Sequence, residues 1–199
     1  MSYPVNYHTE YVEERSRLST GFRLILTMPH LVVVYSLFVV LAGSNVAAWF
    51  AIVATGRYPE GLYRFNSRVI QYLLRVRAYI ALITDEYPKF GLGDQADYPV
   101  RLPIGPAKPS YSRLKAGFRM IVGLPAFFMM MGMQFAGEAA GTVAWFWILF
   151  TGRQNPKLQR IVNLSMAFSG RSWCYFSLLT EEPPPFPADD ETRLAITQG

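Results

Sequence analysis

The chain has 199 residues, of which 51% are hydrophobic, 15% aromatic and 17% charged, and its formal net charge is +5. Soluble domains carry about 25% charged residues, so this composition favours a membrane protein and excludes a disordered chain. A single cysteine, Cys174, excludes an internal disulfide framework and a cysteine-based zinc site.

Two windows of the chain, residues 24–56 and 120–152, contain no lysine or arginine, and Glu138 is their only acid. Each window is longer than the ~20 apolar residues that cross a bilayer as a helix. Small and polar residues interrupt both windows near the middle. The sequence therefore predicts a membrane helical hairpin in each window, with its turn at the following residues: Gly43, Ser44 and Asn45 in the first, and Gly137, Glu138 and Gly141 in the second.

One long helix per window, beginning after Pro29 or Pro125, is the alternative, and two buried core helices of a soluble protein are a third possibility. The basic residues that flank the first window favour the hairpin, since a hairpin returns them to one side of the membrane. The positive-inside rule makes that side cytoplasmic. The polar first 20 residues show no signal-peptide pattern. We expect a multi-pass protein whose N-terminus and repeat flanks are cytoplasmic.

The chain contains an internal repeat: the same sequence pattern occurs twice, at an offset of 96 residues. The repeated tripeptides are Ser-Arg-Leu at 16 and 112, Gly-Phe-Arg at 21 and 117, Ala-Trp-Phe at 48 and 144, and Thr-Gly-Arg at 55 and 151. We therefore predict a first repeat over 1–97, a second over 98–188, and a C-terminal tail over 189–199. With an even number of crossings per repeat, the pseudo-two-fold axis lies along the membrane normal.

Each repeat begins with a short extended segment, 3–7 or 98–102. An isolated strand needs a backbone partner, so we expect the two segments to pair, with each other or with another protein, in a cytoplasmic cap. Each repeat ends with an amphipathic helix, over about 62–84 and 157–180, which we expect to lie in the membrane interface. The proline run from Pro183 predicts an extended, loosely attached tail.

Arginines at the ends of the windows and on the amphipathic helices are the candidate binding residues. Anionic lipid headgroups attract basic residues that lie at the membrane boundary. A snorkelling anchor is the alternative role for the two Thr-Gly-Arg sites. The candidates for headgroup contact are Arg57, Arg64, Arg68, Arg75, Arg153, Arg160 and Arg171.

Motifs for nucleotide binding, zinc-dependent proteolysis and serine hydrolysis are not found in the sequence. We therefore predict no catalytic residue, no cofactor and no metal. The basic residues alternate with apolar stretches and form no nucleic-acid motif, so nucleic acid is not an expected partner.

The repeated pattern of Tyr-Pro-Val, Ser-Arg-Leu, a proline at the start of the window, Ala-Trp-Phe, Thr-Gly-Arg and Thr-(Asp/Glu)-Glu resembles a bacterial membrane family, domain of unknown function 4389. The resemblance covers nearly the whole chain, in two copies. The second copy departs from the pattern at Ala126 and at 154–156. The resemblance implies a bacterial plasma-membrane protein and supplies no catalytic residues.

The sequence thus predicts a mainly α integral membrane protein of two tandem repeats. The function that we expect is a non-enzymatic accessory or scaffold role in a larger membrane assembly, with binding to anionic lipid headgroups and to a membrane protein partner. The alternative is a small transporter or channel component with a path between the repeats.

Overall fold

The structure, a computed structural model, describes residues 4–93, 95 and 97–185. The predicted tail over 189–199 and Tyr3 of the first extended segment lie outside these residues. The fold is mainly helical, as predicted. Its helices are α1 Arg17–Thr55, α2 Glu60–Ile80, α3 Arg113–Gly117, α4 Arg119–Val122, α5 Leu124–Thr151 and α6 Pro156–Phe176.

The first apolar window forms one continuous helix, so the hairpin predicted for 24–56 is wrong. The alternative of one long helix is right, but α1 begins at Arg17 and contains Pro29 instead of beginning after it. Polar side chains at the supposed turn make tertiary hydrogen bonds instead of ending the helix. Ser44 Oγ donates to Asn66 Oδ1 at 2.6 Å, and Asn66 Nδ2 donates to Asn45 Oδ1 at 2.9 Å. Serine and asparagine stay helical when such partners on a neighbouring helix satisfy them.

The hairpin predicted for 120–152 is also wrong, because α5 runs unbroken through Gly137 and Gly141. Gly137 lets two helices approach closely: a Cβ added there would lie 2.5 Å from Ser165 Cβ. The second window breaks instead at Gly123, just before Pro125, where α4 gives way to α5.

Both long helical segments begin and end at repeated motifs. The Ser16 and Ser112 side chains cap the starts by accepting a hydrogen bond from the backbone amide three residues later, Ser19 N and Lys115 N respectively. Gly56 and Gly152 end α1 and α5 in the left-handed conformation, at φ 71° and 74°.

The long helices run antiparallel, and contacts between the repeats occur in pairs. Near the start of α1, Arg15 N donates to Gly152 O at 3.0 Å, and near its end Tyr111 N donates to Gly56 O at 2.8 Å. Each residue of the second contact is 96 positions from its counterpart in the first, with the two repeats exchanged. The repeats are therefore related by a pseudo-two-fold axis that crosses the long helices.

The tryptophans of the repeated Ala-Trp-Phe motif form a second exchanged pair. Trp49 Nε1 donates to Ala116 O at 3.1 Å, and Trp145 Nε1 donates to Thr20 O at 2.9 Å. Both indoles thus join the C-terminal part of one long helix to the first turns of the other.

The two extended segments pair with each other, which confirms the predicted pairing. The bridges are antiparallel and join Val5 to Ile104 and His8 to Arg101. The second segment is therefore centred on 101–105 rather than on 98–102. We call residues 4–8 and 98–105 the cap.

The molecule has three layers. One layer contains α1 with α3, α4 and α5; the middle layer contains α2 and α6, which cross where Leu74 faces Gly170; the cap is the third. Leu102 of the cap contacts Gly170, and Gln71 Nε2 donates to Leu102 O at 3.2 Å. The centre of the cap therefore lies over the centre of the middle layer.

The two predicted amphipathic helices are present, over Glu60–Ile80 and Pro156–Phe176. They lie between the long helices and the cap, and 13 of the 21 residues of α6 are buried. Both end earlier than predicted because Leu82 and Leu178 turn the chain at positive φ, 63° and 62°.

Candidate functional site

The long helices expose an apolar face to the outside of the molecule. Among the described residues, 33 large hydrophobic side chains are exposed, and 29 of them belong to α1 or to residues 114–150. The buried residues of α1 occur every three or four positions, as in Thr20, Arg23, Thr27 and His30, and form one inward-facing stripe. Only 7 of the 39 residues of α1 are buried. We call this exposed surface the apolar face.

Among the described residues, α1 is the one helix whose length and hydropathy would allow it to cross a membrane. Only 17% of its most apolar 18-residue stretch is buried. This exposure distinguishes α1 from the core helix of a soluble protein, which would be mostly buried.

Two pairs of arginines mark the ends of the apolar face. Arg57 and Arg153, both predicted as headgroup candidates, are exposed just after the long helices end. A Cβ added at Gly152 would lie 3.0 Å from Arg17 Nε, and one at Gly56 would lie 3.5 Å from Arg113 Nε. Each end therefore combines arginines from both repeats. Sequence reasoning missed Arg17 and Arg113, although their recurrence within Ser-Arg-Leu was a signal for them.

Arg64, Arg68 and Arg75, predicted as headgroup candidates, lie with Gln71 on a stripe of α2 that faces the cap and not the long helices. Its members Gln71 and Arg75 donate to Leu102 O and Gly91 O, both at 3.2 Å. Arg64 and Arg68 continue this stripe and are exposed, and Arg64 Nε lies 3.8 Å from Glu60 Oε1. Both arginines are thus directed away from the apolar face.

Two of the predicted headgroup candidates are wrong because they are buried. Arg75 is 4% and Arg171 is 2% exposed. Arg171 Nε donates to Val5 O in the cap at 3.2 Å, and Arg75 donates to Gly91 O, so both side chains bind backbone carbonyls instead of facing solvent. Arg160 is exposed on α6, as its predicted role requires.

A buried arginine fastens each long helix to the helix behind it. Arg23 is 1% exposed, its NH1 group donates to Tyr79 O at 2.5 Å and Thr84 O at 2.9 Å, and its guanidinium lies 4.4 Å from the centre of the Tyr79 ring. Arg23 also forms an ion pair with Asp85. We call this arrangement the first arginine latch.

The second arginine latch repeats the first. Arg119 is 3% exposed, its NH1 group donates to Tyr175 O at 2.5 Å and Thr180 O at 2.6 Å, and its guanidinium lies 4.5 Å from the centre of the Tyr175 ring. Sequence reasoning missed both latches, although Gly-Phe-Arg recurred at the same offset as the other motifs.

One ion pair breaks the symmetry between the repeats. Arg77 of α2 lies 3.2 Å from Glu138 of α5, whereas the residues 96 positions away are Trp173 and Ala42. Glu138 was predicted at a hairpin turn. It instead stands halfway along α5, with its side chain 67% exposed, and its charge is matched by the other repeat.

Two cavities lie between the long helices on either side of the pseudo-two-fold axis. The larger, of about 590 Å³, has a mainly apolar lining that includes Trp49, Phe127 and Met130. Its counterpart beside Trp145 and Glu138 has about 350 Å³. The layer of long helices is therefore incompletely packed at its centre. Within the described part of the chain, no cluster of histidine, cysteine or acidic side chains is arranged to hold a metal ion.

The repeats, the latches and the apolar face define a duplicated α-helical protein with one strongly apolar surface. The family model described as Domain of unknown function (DUF4389) matches residues 17–91 and 113–188, so the chain belongs to this family and contains two copies of its domain. No curated protein and no solved structure matches the chain.

Proposed function

We propose that this protein is a non-enzymatic accessory or scaffold protein of a bacterial plasma-membrane assembly. Its apolar face would be embedded in the lipid, and its cap would present a polar surface to a protein partner. The observation that carries the proposal is the segregation of surfaces: in the described part of the chain, nearly all exposed large hydrophobic side chains lie in the layer of long helices.

Burial in lipid accounts for the apolar face energetically. Soluble monomers rarely expose continuous apolar patches larger than a few hundred Å². Each large apolar side chain that is removed from water contributes about 1.5–3 kcal/mol. An exposed surface that includes Phe22, Val32, Phe50 and Phe135 therefore favours transfer into a bilayer.

Anionic lipid would strengthen this attachment through the arginine pairs at the ends of the apolar face. A basic residue near an anionic membrane surface contributes about 1 kcal/mol, within a Debye length. Arg57 and Arg153 support this role because they are exposed there, with Arg17 and Arg113 beside them.

The cap supports an accessory role because it exposes polar side chains. His8 and Arg101, which bridge the two segments, are both exposed, and so is Lys108 in the following loop. A surface of this kind suits a protein partner in the aqueous phase better than lipid.

Flotation of the purified protein with vesicles tests the membrane role. We expect the protein to float with vesicles that contain anionic lipid, and to float less after the double change Val32→Glu and Val39→Glu on the apolar face. Arg101→Glu on the cap is the matched control and should float like the wild type. A wild-type protein that stays in the unbound fraction as a stable monomer would overturn the proposal.

Cross-linking from the cap tests the accessory role. A photoreactive residue at 101 should capture a protein partner in intact membranes, while one at 32 should capture lipid. Solute or ion flux through liposomes that contain only this protein would instead support the transporter alternative.

A further inference from the structure

The structure points to an in-plane orientation: we infer that the apolar face lies flat in one leaflet of the membrane, with α1 and α3 to α5 parallel to the bilayer plane and crossing it nowhere. This inference rests on the proposed membrane role. It replaces the multi-pass arrangement that the sequence suggested.

The length of the apolar face is the first argument. Exposed apolar side chains extend along α1 from Leu18 to Phe50. At 1.5 Å per residue this stretch is about 48 Å long, whereas the hydrocarbon core is about 30 Å thick. An upright helix would therefore leave exposed apolar residues in water, while a helix in the plane buries all of them in one leaflet.

The position of the cap is the second argument. Leu102 packs against Gly170 where α2 and α6 cross, so the cap lies beside the middle of the long helices and not beyond their ends. An upright orientation would place the exposed side chains of His8 and Arg101 at the depth of the bilayer centre. Irregular backbone that faces lipid does not occur at that depth, and an exposed arginine there is costly.

Charge gives the third argument. The antiparallel helices place Arg17 and Arg153 at one end of the apolar face and Arg57 and Arg113 at the other. An upright molecule would expose one pair on each side of the membrane, against the positive-inside rule. In the plane, all four arginines reach the headgroups of the same leaflet, where anionic lipid attracts them.

The pseudo-two-fold axis agrees with the in-plane orientation. The axis passes between the long helices, through the crossing of Leu74 and Gly170, and through the cap. When the apolar face lies flat, this axis coincides with the membrane normal. Both repeats then present the same surface to the same leaflet.

Single-cysteine labelling in intact cells and in inverted vesicles tests the orientation. Cys174 is fully buried, and its burial raises the pKa of its thiol, so a Cys174→Ala background removes a group that is already unreactive. We expect Arg17→Cys, Arg57→Cys and Arg101→Cys all to react from the cytoplasmic side and none from outside. Reaction of positions 17 and 57 from opposite sides would overturn the inference.

Depth measurement by nitroxide labels gives a second test that does not depend on living cells. Outward positions along α1, Ile25→Cys, Val32→Cys, Val39→Cys and Phe50→Cys, should report one similar depth in reconstituted vesicles. An upright helix would give depths that pass through a maximum near the middle.

The two proposals can fail separately. A protein that does not float with vesicles overturns both the membrane role and the orientation. A protein that floats but labels from both sides, or shows a depth maximum along α1, keeps the membrane role and overturns the in-plane orientation alone.

Discussion

The two repeats share their end contacts and differ at the centre. In both repeats a serine caps the start of the long helical segment, an arginine latch fastens it, a tryptophan indole donates a hydrogen bond to the other repeat, and a glycine ends the helix. Near the middle, the second repeat has Glu138 where the first has Ala42, and the first has Arg77 where the second has Trp173. The comparison teaches that the contacts common to both repeats define the fold. The Arg77–Glu138 ion pair and the difference in volume between the two cavities are the features that distinguish one half of the molecule from the other.

The long helices show a further difference with a local cause. Residue 27 of α1 is a threonine, whose hydroxyl donates to Arg23 O at 2.7 Å, whereas its counterpart Gly123 separates α4 from α5. Glycine costs about 1 kcal/mol in a helix interior, so the second copy breaks at this position.

Removal of the first arginine latch should have the largest effect. Arg23→Met removes the donor to the carbonyls of Tyr79 and Thr84 and the ion-pair partner of Asp85. Loss of one partner of a buried ion pair costs about 3–5 kcal/mol, and we expect the lower end because Asp85 is 29% exposed and keeps its hydrogen bond from Ser16 N. Arg17→Met, at an exposed position of the same helix, should cost less than about 0.5 kcal/mol. The measurement is denaturation in mild detergent, followed by tryptophan fluorescence. Equal midpoints for the two variants would contradict the role of the latch.

Close packing in the second repeat should give the next largest effect. Gly137→Ala forces Ser165 away and should destabilise the protein by about 1–3 kcal/mol. Gly141→Ala, one turn later on the same helix, meets no atom within 4 Å and should be neutral or stabilise the helix. Thermal unfolding of the two variants checks this difference, and similar losses in both would show that helix contact at Gly137 is unimportant.

Loss of either tryptophan hydrogen bond should reduce the stability of the protein moderately and by a similar amount in both repeats. Trp49→Phe and Trp145→Phe each remove one indole donor, and a hydrogen bond of this kind contributes about 0.5–1.5 kcal/mol. Denaturation midpoints of the two variants should therefore agree within error. A large inequality would mean that the two hydrogen bonds, although related by the pseudo-symmetry of the fold, contribute unequally to stability.

Acid should reveal the smallest effect, at Glu181. Partial burial raises its pKa, but the Ser112 amide and the Lys108 ammonium lower it more, so the pKa of Glu181 lies below its usual range. A lowered pKa stabilises the folded state above about pH 4.3 and loses this contribution as the pH falls through the folded-state value. Glu181→Gln should therefore reduce stability by less than about 1 kcal/mol at pH 7 and weaken its loss in acid. Unfolding midpoints between pH 3 and 7 check this, and an unchanged acid dependence would contradict it.

The sequence predicted the repeat and the paired segments because local residue types specify them. Serine caps, Thr-Gly-Arg stops and short β-branched segments act within a few residues of themselves. The prediction of a hairpin in the first window was wrong because Ser44 and Asn45 are residue types that also favour turns. Their hydrogen bonds to Asn66, on another helix, keep them inside α1, and the local sequence does not reveal that partner.

Some of the candidate arginines are exposed and others are buried, for a related reason. Arg57 and Arg153 follow helix ends, so their exposure could be read from the chain. Arg75 shares the spacing of exposed Arg64 and Arg68, but it is buried, binds Gly91 O and lies beside Val100 and Leu102 of the cap. Sequence spacing identifies a helix face but not what covers it.

The exchanged contacts between the repeats are those that two identical chains make in an isologous dimer. In a chain of half this length, the carbonyl of Gly56 and the indole of Trp49 would find their partners only on a second molecule. Joining the halves through the segment that precedes Arg113 makes that association intramolecular, at an effective concentration on the order of millimolar. The fold of this protein is therefore independent of its own abundance in the cell, which a dimer of single repeats could not be.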